Sequence, residues 1–120
     1  MERTTKIAVD RRLDANTSPN FEKRVQQILE HPTDLLIMDL NKLSYVSSAG
    51  IRVLISVNKA LVENEGQVVC LNMQPQIAKV MEAIQALPGL HVFKNDEQMD
   101  AFLAKIQQDA TPKRRKRSNT

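Results

Sequence analysis

Apolar side chains along the chain follow two spacings, one typical of strands and one typical of helices. In "KIAVDRRLDA", Ile7 and Val9 lie two residues apart and Leu13 follows, which predicts a short half-buried strand or a strand pair. The run "DLLIMDL" over residues 34–40 has little alternation, which is typical of a strand covered on both faces of a parallel sheet. "QVVCL" and "HVF" predict two further short strands.

Helical stripes separate these strands. Ser18-Pro19 is a helix start signal, because serine can cap free amides and proline suits the first helical position. The next helix runs from about Ser48 to Asn64, with Gly66 as a stop. Apolar residues at helical spacing mark the others: Phe21, Val25, Ile28 and Leu29; Ile77, Val80, Met81, Ile84 and Leu87; Met99, Phe102, Leu103 and Ile106. Alternating strands and helices predict an α/β layer with a largely parallel sheet.

The chain has 120 residues, of which 42% are hydrophobic, enough for one modest core. We therefore expect one domain over residues 1–109, followed by a disordered basic tail over residues 110–120. Five of the 17 basic residues lie in "KRRKR", which leaves 12 against 14 acidic residues in the rest. Both a solvated tail and an accessory contact to nucleic acid or anionic lipid fit this run.

The composition argues against several classes of function. No apolar stretch approaches the roughly 20 residues that span a bilayer, and "MERTTKIAVD" lacks a signal-peptide pattern, so we expect a cytoplasmic protein without a membrane partner. Cys70 lies within an apolar run, which favours a buried structural thiol. Neither a cysteine or histidine cluster nor a glycine-rich phosphate loop is present, so we expect no metal and no cofactor.

Three faces divide the helix that begins near Ser48, at about 100° per residue. The face predicted to lie against the sheet contains Ile51, Leu54, Ile55, Leu61 and Val62, and a polar face contains Arg52, Ser56, Lys59 and Glu63. A third stripe contains Val53, Val57 and Ala60. Burial beneath a neighbouring helix explains this stripe, and so does an exposed strip that receives another protein.

Ser47 and Ser48 lie where a strand region gives way to this helix. One hydroxyl can cap the helix while the other faces solvent beside the positive end of the helix dipole. A phosphate of about −1.5 to −2 charges is readily accommodated there. The small residues Ala49 and Gly50 would let a partner approach closely.

These segments resemble the STAS domain of bacterial anti-sigma factor antagonists. The resemblance rests on "DLLIMDL", "SYVSSAGIRVL" and "GQVVCLNMQPQIAKVMEAIQAL", and extends to "RLDANTSPNFE" and "GLHVFKNDEQMDAFL". It implies an α/β single domain with a small mixed, mostly parallel sheet and about four helices mainly on one side. Aligned on Gly50, the family's phosphorylated serine falls on Ser48, while Ser47 replaces its aspartate and is a second candidate.

The resemblance implies a binding protein switched by phosphorylation. Its partners would be an anti-sigma factor or switch serine kinase, bound in the unphosphorylated state, and a metal-dependent serine phosphatase. The implied partner surface combines Ser47, Ser48 and Gly50 with Val53 and Val57 and with the "LDANT" loop, represented by Asp14, Asn16 and Thr17. These three loop residues are also common turn-formers.

Alternative functions have weaker support. Ser48 is a poor candidate for a catalytic nucleophile, because Val46 replaces the first glycine of a Gly-x-Ser-x-Gly elbow. His31 and His91 are not visibly placed as bases, so we expect no enzyme and no catalytic residues. A STAS interaction module that is not phosphorylated and an adaptor that binds nucleic acid through the tail are the remaining alternatives. Binding of nucleic acid by a chain truncated after Asp109 would test the adaptor.

Overall fold

A computed structural model of the chain describes residues 3–82 and 87–105, in which strands alternate with helices. The strands are β1 (Thr4–Ala8), β2 (Arg12–Leu13), β3 (Leu35–Asp39), β4 (Tyr45–Val46), β5 (Gln67–Leu71) and β6 (Leu90–Phe93). The helices are α1 (Ser18–Ile28), α2 (Ser48–Glu63), α3 (Pro75–Met81) and a helical segment over residues 96–105, here α4. The expected basic tail, Ile84 and Ile106 lie outside the described residues.

Within the described residues, the main sheet has four strands in the order β1-β3-β5-β6, and all of their pairings are parallel. β3 is an interior strand whose residues Leu35, Leu36, Ile37 and Met38 are buried, as its unbroken apolar sequence predicts. The short strands β2 and β4 pair with each other in a separate parallel ribbon. The mostly parallel α/β fold is therefore confirmed.

The two faces of the sheet are covered unequally. On one face, Leu36, Met38, Val68 and Cys70 belong to a large core that includes residues of α1, α2 and α3. On the other, α4 contributes Met99 to a smaller core with Leu35, Ile37, Val69 and Leu71. Side chains alternate between the faces of a strand, so β3 and β5 supply both cores. The helices thus lie mainly on one side, as expected, with α4 alone on the other among the described residues.

The ends of the helices partly follow the predicted signals. Ser18 does not cap α1: the N-cap is Thr17, and Ser18 is a buried residue of the first turn. α2 ends at Glu63, three residues before Gly66, whose N–H donates to the Leu61 carbonyl at 2.7 Å. The left-handed residue there is Glu65, with φ 61°. Gly66 is needed for space, because a Cβ on it would lie 2.9 Å from the Thr33 carbonyl oxygen.

Cys70 occupies the interior of β5 and is fully buried. Burial raises the pKa of its thiol to about 12, which keeps it protonated at neutral pH. The prediction of a structural thiol agrees with this environment. No helix in the described part of the chain combines the length and apolar character needed to cross a bilayer.

Candidate functional site

The site is formed where β2 and β4 end. These strands run parallel with Leu13 paired to Val46, so the segments that follow them emerge at the same edge. The backbone N–H of Ser47 donates to the Leu13 carbonyl at 2.9 Å and extends this ladder. The loop over residues 14–17 therefore lies beside Ser47 and the start of α2, as the predicted partner surface requires.

The two serines have different environments. Ser47 is the N-cap of α2: its backbone is extended, and its hydroxyl oxygen accepts a hydrogen bond from the Gly50 N–H at 3.3 Å. Ser48 is the first residue of the helix, and its side chain is exposed. Capping therefore accounts for Ser47, whereas the exposed hydroxyl of Ser48 is accessible to another protein.

Asp14 organises the neighbouring loop. Its Oδ1 accepts hydrogen bonds from the backbone N–H groups of Asn16 and Thr17, both at 3.0 Å. Its Oδ2 accepts from the Arg12 guanidinium at 3.1 Å. The hydrogen bond from the Thr17 N–H, followed by that from Arg12, holds the pKa of Asp14 below its usual value. Asp14 is thus a fixed negative charge beside the serines at neutral pH.

Of the remaining loop candidates, Thr17 is hydrogen-bonded within the loop and Asn16 is exposed, just as Ser47 caps the helix and Ser48 is exposed. The Thr17 hydroxyl donates to the Arg12 carbonyl at 3.0 Å, which closes the loop onto β2. Asn16 is exposed, and only its backbone N–H takes part in the loop's hydrogen bonds. Asp14 and Thr17 therefore act as turn-formers, while Asn16 presents its side chain to solvent.

Arg12 and Tyr45 are surface residues of this site that the sequence pattern does not single out. They are paired across β2 and β4, with the Arg12 guanidinium carbon 4.4 Å from the centre of the Tyr45 ring. This arrangement is a cation–π contact. Tyr45 is 44% exposed although it is a large aromatic residue. Only the register of two separate two-residue strands reveals this pair.

The sequence predicts that the small residue Gly50 lets a partner approach closely, and this prediction is wrong. The residue is buried, and a Cβ on it would lie 2.3 Å from the Leu13 carbonyl oxygen. Its missing side chain therefore allows α2 to pack closely against the backbone of β2. The close approach is within the domain.

The predicted docking stripe on α2 is also wrong at Val57, which is 3% exposed and belongs to the main core. Val53 is half-buried against the same core. α1 and α2 contact each other, so α2 buries a flank in addition to its sheet-facing side. The alternative of burial within the domain applies to Val57. Conversely, Ile55 and Val62, predicted to face the sheet, are 37% and 39% exposed.

Five of the exposed residues of α2 form a different stripe, which we call the α2 stripe: Ser48, Arg52, Ile55, Lys59 and Val62. Successive members are three or four residues apart, so they follow one face of the helix. Two of them are basic and two are apolar. The helix therefore presents a continuous amphipathic surface that begins at Ser48.

The histidines belong to other segments of the chain than the serines. His91 is on β6, where its Nε2 is 2.8 Å from the Gln67 Oε1 and its ring lies 4.5 Å from that of Phe102 in α4. His31 is exposed after α1. In residues 3–82 and 87–105, no three His, Cys, Asp or Glu side chains are grouped as metal ligands.

Comparisons with known proteins agree with this fold. The STAS domain family model matches residues 2–99. A protein of Bordetella bronchiseptica named as an anti-sigma factor antagonist, BtrV, is 38% identical over 47 residues, which cover 39% of this chain and 40% of that relative. The match thus spans less than half of BtrV.

Solved structures resemble the chain over most of its length. The unphosphorylated form of the anti-sigma factor antagonist SpoIIAA has a TM-score of 0.66 at 18% identity, covering 88% of this chain and 92% of SpoIIAA. The phosphorylated form of SpoIIAA, a cell fate determinant of Bacillus, has a TM-score of 0.64 at 19% identity, covering 85% and 93%. A sulfate transporter family protein of Wolinella succinogenes has a TM-score of 0.69 at 9% identity, covering 88% of each chain.

At these identities the structural matches show the shared fold, while the family model shows membership. The matched region contains the β2–β4 ribbon, the serines and the whole of α2. The chain belongs to the STAS domain family.

Proposed function

We propose that this chain is an anti-sigma factor antagonist, which binds an anti-sigma factor with serine kinase activity and is released when Ser48 is phosphorylated. The observation that carries the proposal is the exposed hydroxyl of Ser48 beside Ser47, which is occupied in capping. The similarity to BtrV and the fold shared with SpoIIAA support the same function.

The covalent step transfers the γ-phosphoryl group of ATP to Ser48. The serine O–H bond breaks, a bond forms between Oγ and the γ-phosphorus, and the bond from that phosphorus to the bridging oxygen of ADP breaks. The proton leaves to a base of the kinase, and ADP is the leaving group. Because the kinase supplies the nucleotide and the base, the chain contributes only a presented hydroxyl. A metal-dependent phosphatase resets the protein by hydrolysing the phosphoserine with water.

The proposed docking surface comprises the α2 stripe and Asn16, an exposed residue of the adjacent loop. It retains Ser48 and Asn16 from the surface predicted from the sequence. It replaces Val53 and Val57 by Ile55 and Val62, which are exposed. Exposed apolar residues flanked by charged ones are typical of a protein interface with a polar rim.

Phosphorylation would act directly on this surface, because Ser48 is its first residue. The phosphate adds about −1.5 to −2 charges and bulk at the interface. The N-terminus of α2 tolerates the group within the free domain, since free amides and the helix dipole stabilise negative charge. In the complex, losing about 3 kcal/mol weakens binding more than a hundredfold, enough for a switch.

Phosphopeptide mapping by mass spectrometry on the protein from its native cells tests the proposal, with fragmentation that separates Ser47 from Ser48. We expect phosphate on Ser48, and its loss in Ser48→Ala. Ser47→Ala is the matched control and should keep the phosphate. If no growth condition yields phosphate on Ser48, the proposed switch is wrong and a STAS interaction module that is not phosphorylated is favoured.

A further inference from the structure

Arg52 lies four residues after Ser48 in α2, and both side chains are exposed. Residues at positions i and i+4 are neighbours on a helix surface, with Cβ atoms about 5–6 Å apart. A negative group N-terminal to a positive one is the more favourable order at this spacing, since it also agrees with the helix dipole. Ser48 and Arg52 have the order that would pair a phosphate with a guanidinium.

Arg52 is better placed to pair with a phosphate on Ser48 than Arg12 or Lys59, two other basic residues of this surface. Arg12 is already engaged with Asp14 and with the Tyr45 ring. Lys59 is eleven residues from Ser48, about 16 Å along the helix axis and beyond the reach of a phosphate at position 48. Arg52 combines proximity to Ser48 with a guanidinium that can form two parallel hydrogen bonds to phosphate oxygens.

We propose that phosphoserine at position 48 forms an intrahelical ion pair with Arg52. The inference rests on the proposed function, in which Ser48 is the phosphorylated residue. The pair occupies one of the two basic residues of the α2 stripe and fixes its side chain along the helix. Phosphorylation then has two effects on the docking surface: it adds negative charge at Ser48 and removes Arg52 from contact with a partner.

The pair predicts a shift in the second ionisation of the phosphate. A nearby guanidinium favours the dianion, so the midpoint of this ionisation moves to lower pH. Asp14, in the loop beside the serines, opposes the shift, and the Arg12 guanidinium paired with it favours it. Asp14 and Arg12 are present in every variant compared below, so the difference between variants reports Arg52.

The test uses the full chain with phosphoserine incorporated genetically at position 48, which requires no kinase. We would follow the phosphorus-31 chemical shift against pH in the unsubstituted phosphoprotein and in Arg52→Gln. Lys59→Gln is the matched control, because it removes one positive charge from the same stripe beyond the reach of the phosphate. All three proteins are compared by circular dichroism to establish equal folding.

We expect the midpoint in Arg52→Gln to lie a few tenths of a pH unit above that of the unsubstituted phosphoprotein, a shift that fits an i,i+4 pair. Lys59→Gln should match the unsubstituted phosphoprotein, and added salt should reduce the difference. Equal midpoints in all three proteins would overturn the pair, as would equal shifts in both variants. A negative result in this titration would not contradict the proposed phosphorylation of Ser48 in cells, because phosphopeptide mapping tests that proposal separately.

Discussion

At Gly50, α2 packs closely against the backbone of β2. Alanine is favoured over glycine in a helix interior by about 1 kcal/mol, so helix propensity alone predicts that Gly50→Ala stabilises the protein. The structure predicts the opposite, because the new Cβ would meet the Leu13 carbonyl oxygen at 2.3 Å. We expect a loss of about 1–3 kcal/mol in the free energy of unfolding, as for other overpacked sites. Urea denaturation measures it.

The control is Ser56→Ala, an exposed position of the same helix, which should change stability by no more than about 0.5 kcal/mol. A stabilised Gly50→Ala would show that β2 yields easily. The new Cβ in Gly50→Ala would push against the Leu13 carbonyl, which also accepts a hydrogen bond from the Ser47 N–H. The substitution should therefore disturb the segment that presents Ser48 as well as the global stability.

At the scale of single residues, the sequence predicted the positions of the two serines better than the role of the glycine. Ser47 and Ser48 follow a strand and precede an apolar helical pattern, and both signals are local. The role of Gly50 depends on the pairing of β2 with β4, two strands of two residues separated by α1 and β3. No local pattern contains that contact.

At the scale of elements, α2 provides a matched pair of substitutions. Val57→Asp places a carboxylate in the main core, where Val57 is 3% exposed, and should lower the free energy of unfolding by roughly 3 kcal/mol or more. Ile55→Asp lies on the α2 stripe and should cost much less. Thermal unfolding compares the two variants.

Ile55→Asp, the variant with the smaller expected loss of stability, should have a clear effect on partner binding. Folded Ile55→Asp should bind the anti-sigma factor at least tenfold more weakly, because the carboxylate is desolvated in the interface. Titration calorimetry with the partner measures this loss. Unchanged binding would place the docking surface elsewhere, and a stable Val57→Asp would contradict the orientation of α2.

The extent of α2 could be predicted from its sequence, but its orientation could not. The predicted helix from about Ser48 to Asn64 matches Ser48–Glu63 within one residue. Apolar residues cover much of its circumference, however, and Asn58 is buried on the side facing the core. The Asn58 amide donates a hydrogen bond to the Pro88 carbonyl at 3.0 Å. Because this contact is distant in sequence, the polarity of Asn58 alone predicts that the residue is exposed. The predicted core face therefore excluded Asn58 and included Ile55.

At the scale of the whole molecule, the parallel direction of the strands follows from the alternation of strands and helices, whereas the placement of α4 does not. Regular βα alternation predicts parallel strands, and the parallel register of β1, β3, β5 and β6 confirms it. The stripe of α4 resembles those of the other helices. Its position on the opposite face becomes clear from the aromatic contacts of Phe102 with Phe93 and His91 at the edge strand β6.

This second face makes stability depend on pH through His91. Burial between β6 and α4 lowers the pKa of His91 from its ordinary value of 6.5. As the pH falls below that value, the unfolded chain takes up the proton before the folded one does. The free energy of unfolding therefore decreases, and the contribution of the neutral imidazole is complete only above the unfolded-state pKa.

We expect stability measured by urea denaturation to fall as the pH is lowered from 7.5 to about 5.5, and we expect His91→Gln to flatten this decline. His31→Gln is the matched control, because it removes an exposed histidine and leaves His91 in place, so the decline caused by His91 should persist. If the dependence of stability on pH is unchanged in His91→Gln, protonation of His91 does not cause the decline and the prediction is wrong. A flattened slope would show that protonation of His91, whose ring makes a tilted contact with that of Phe102 in α4, lowers the stability of the fold.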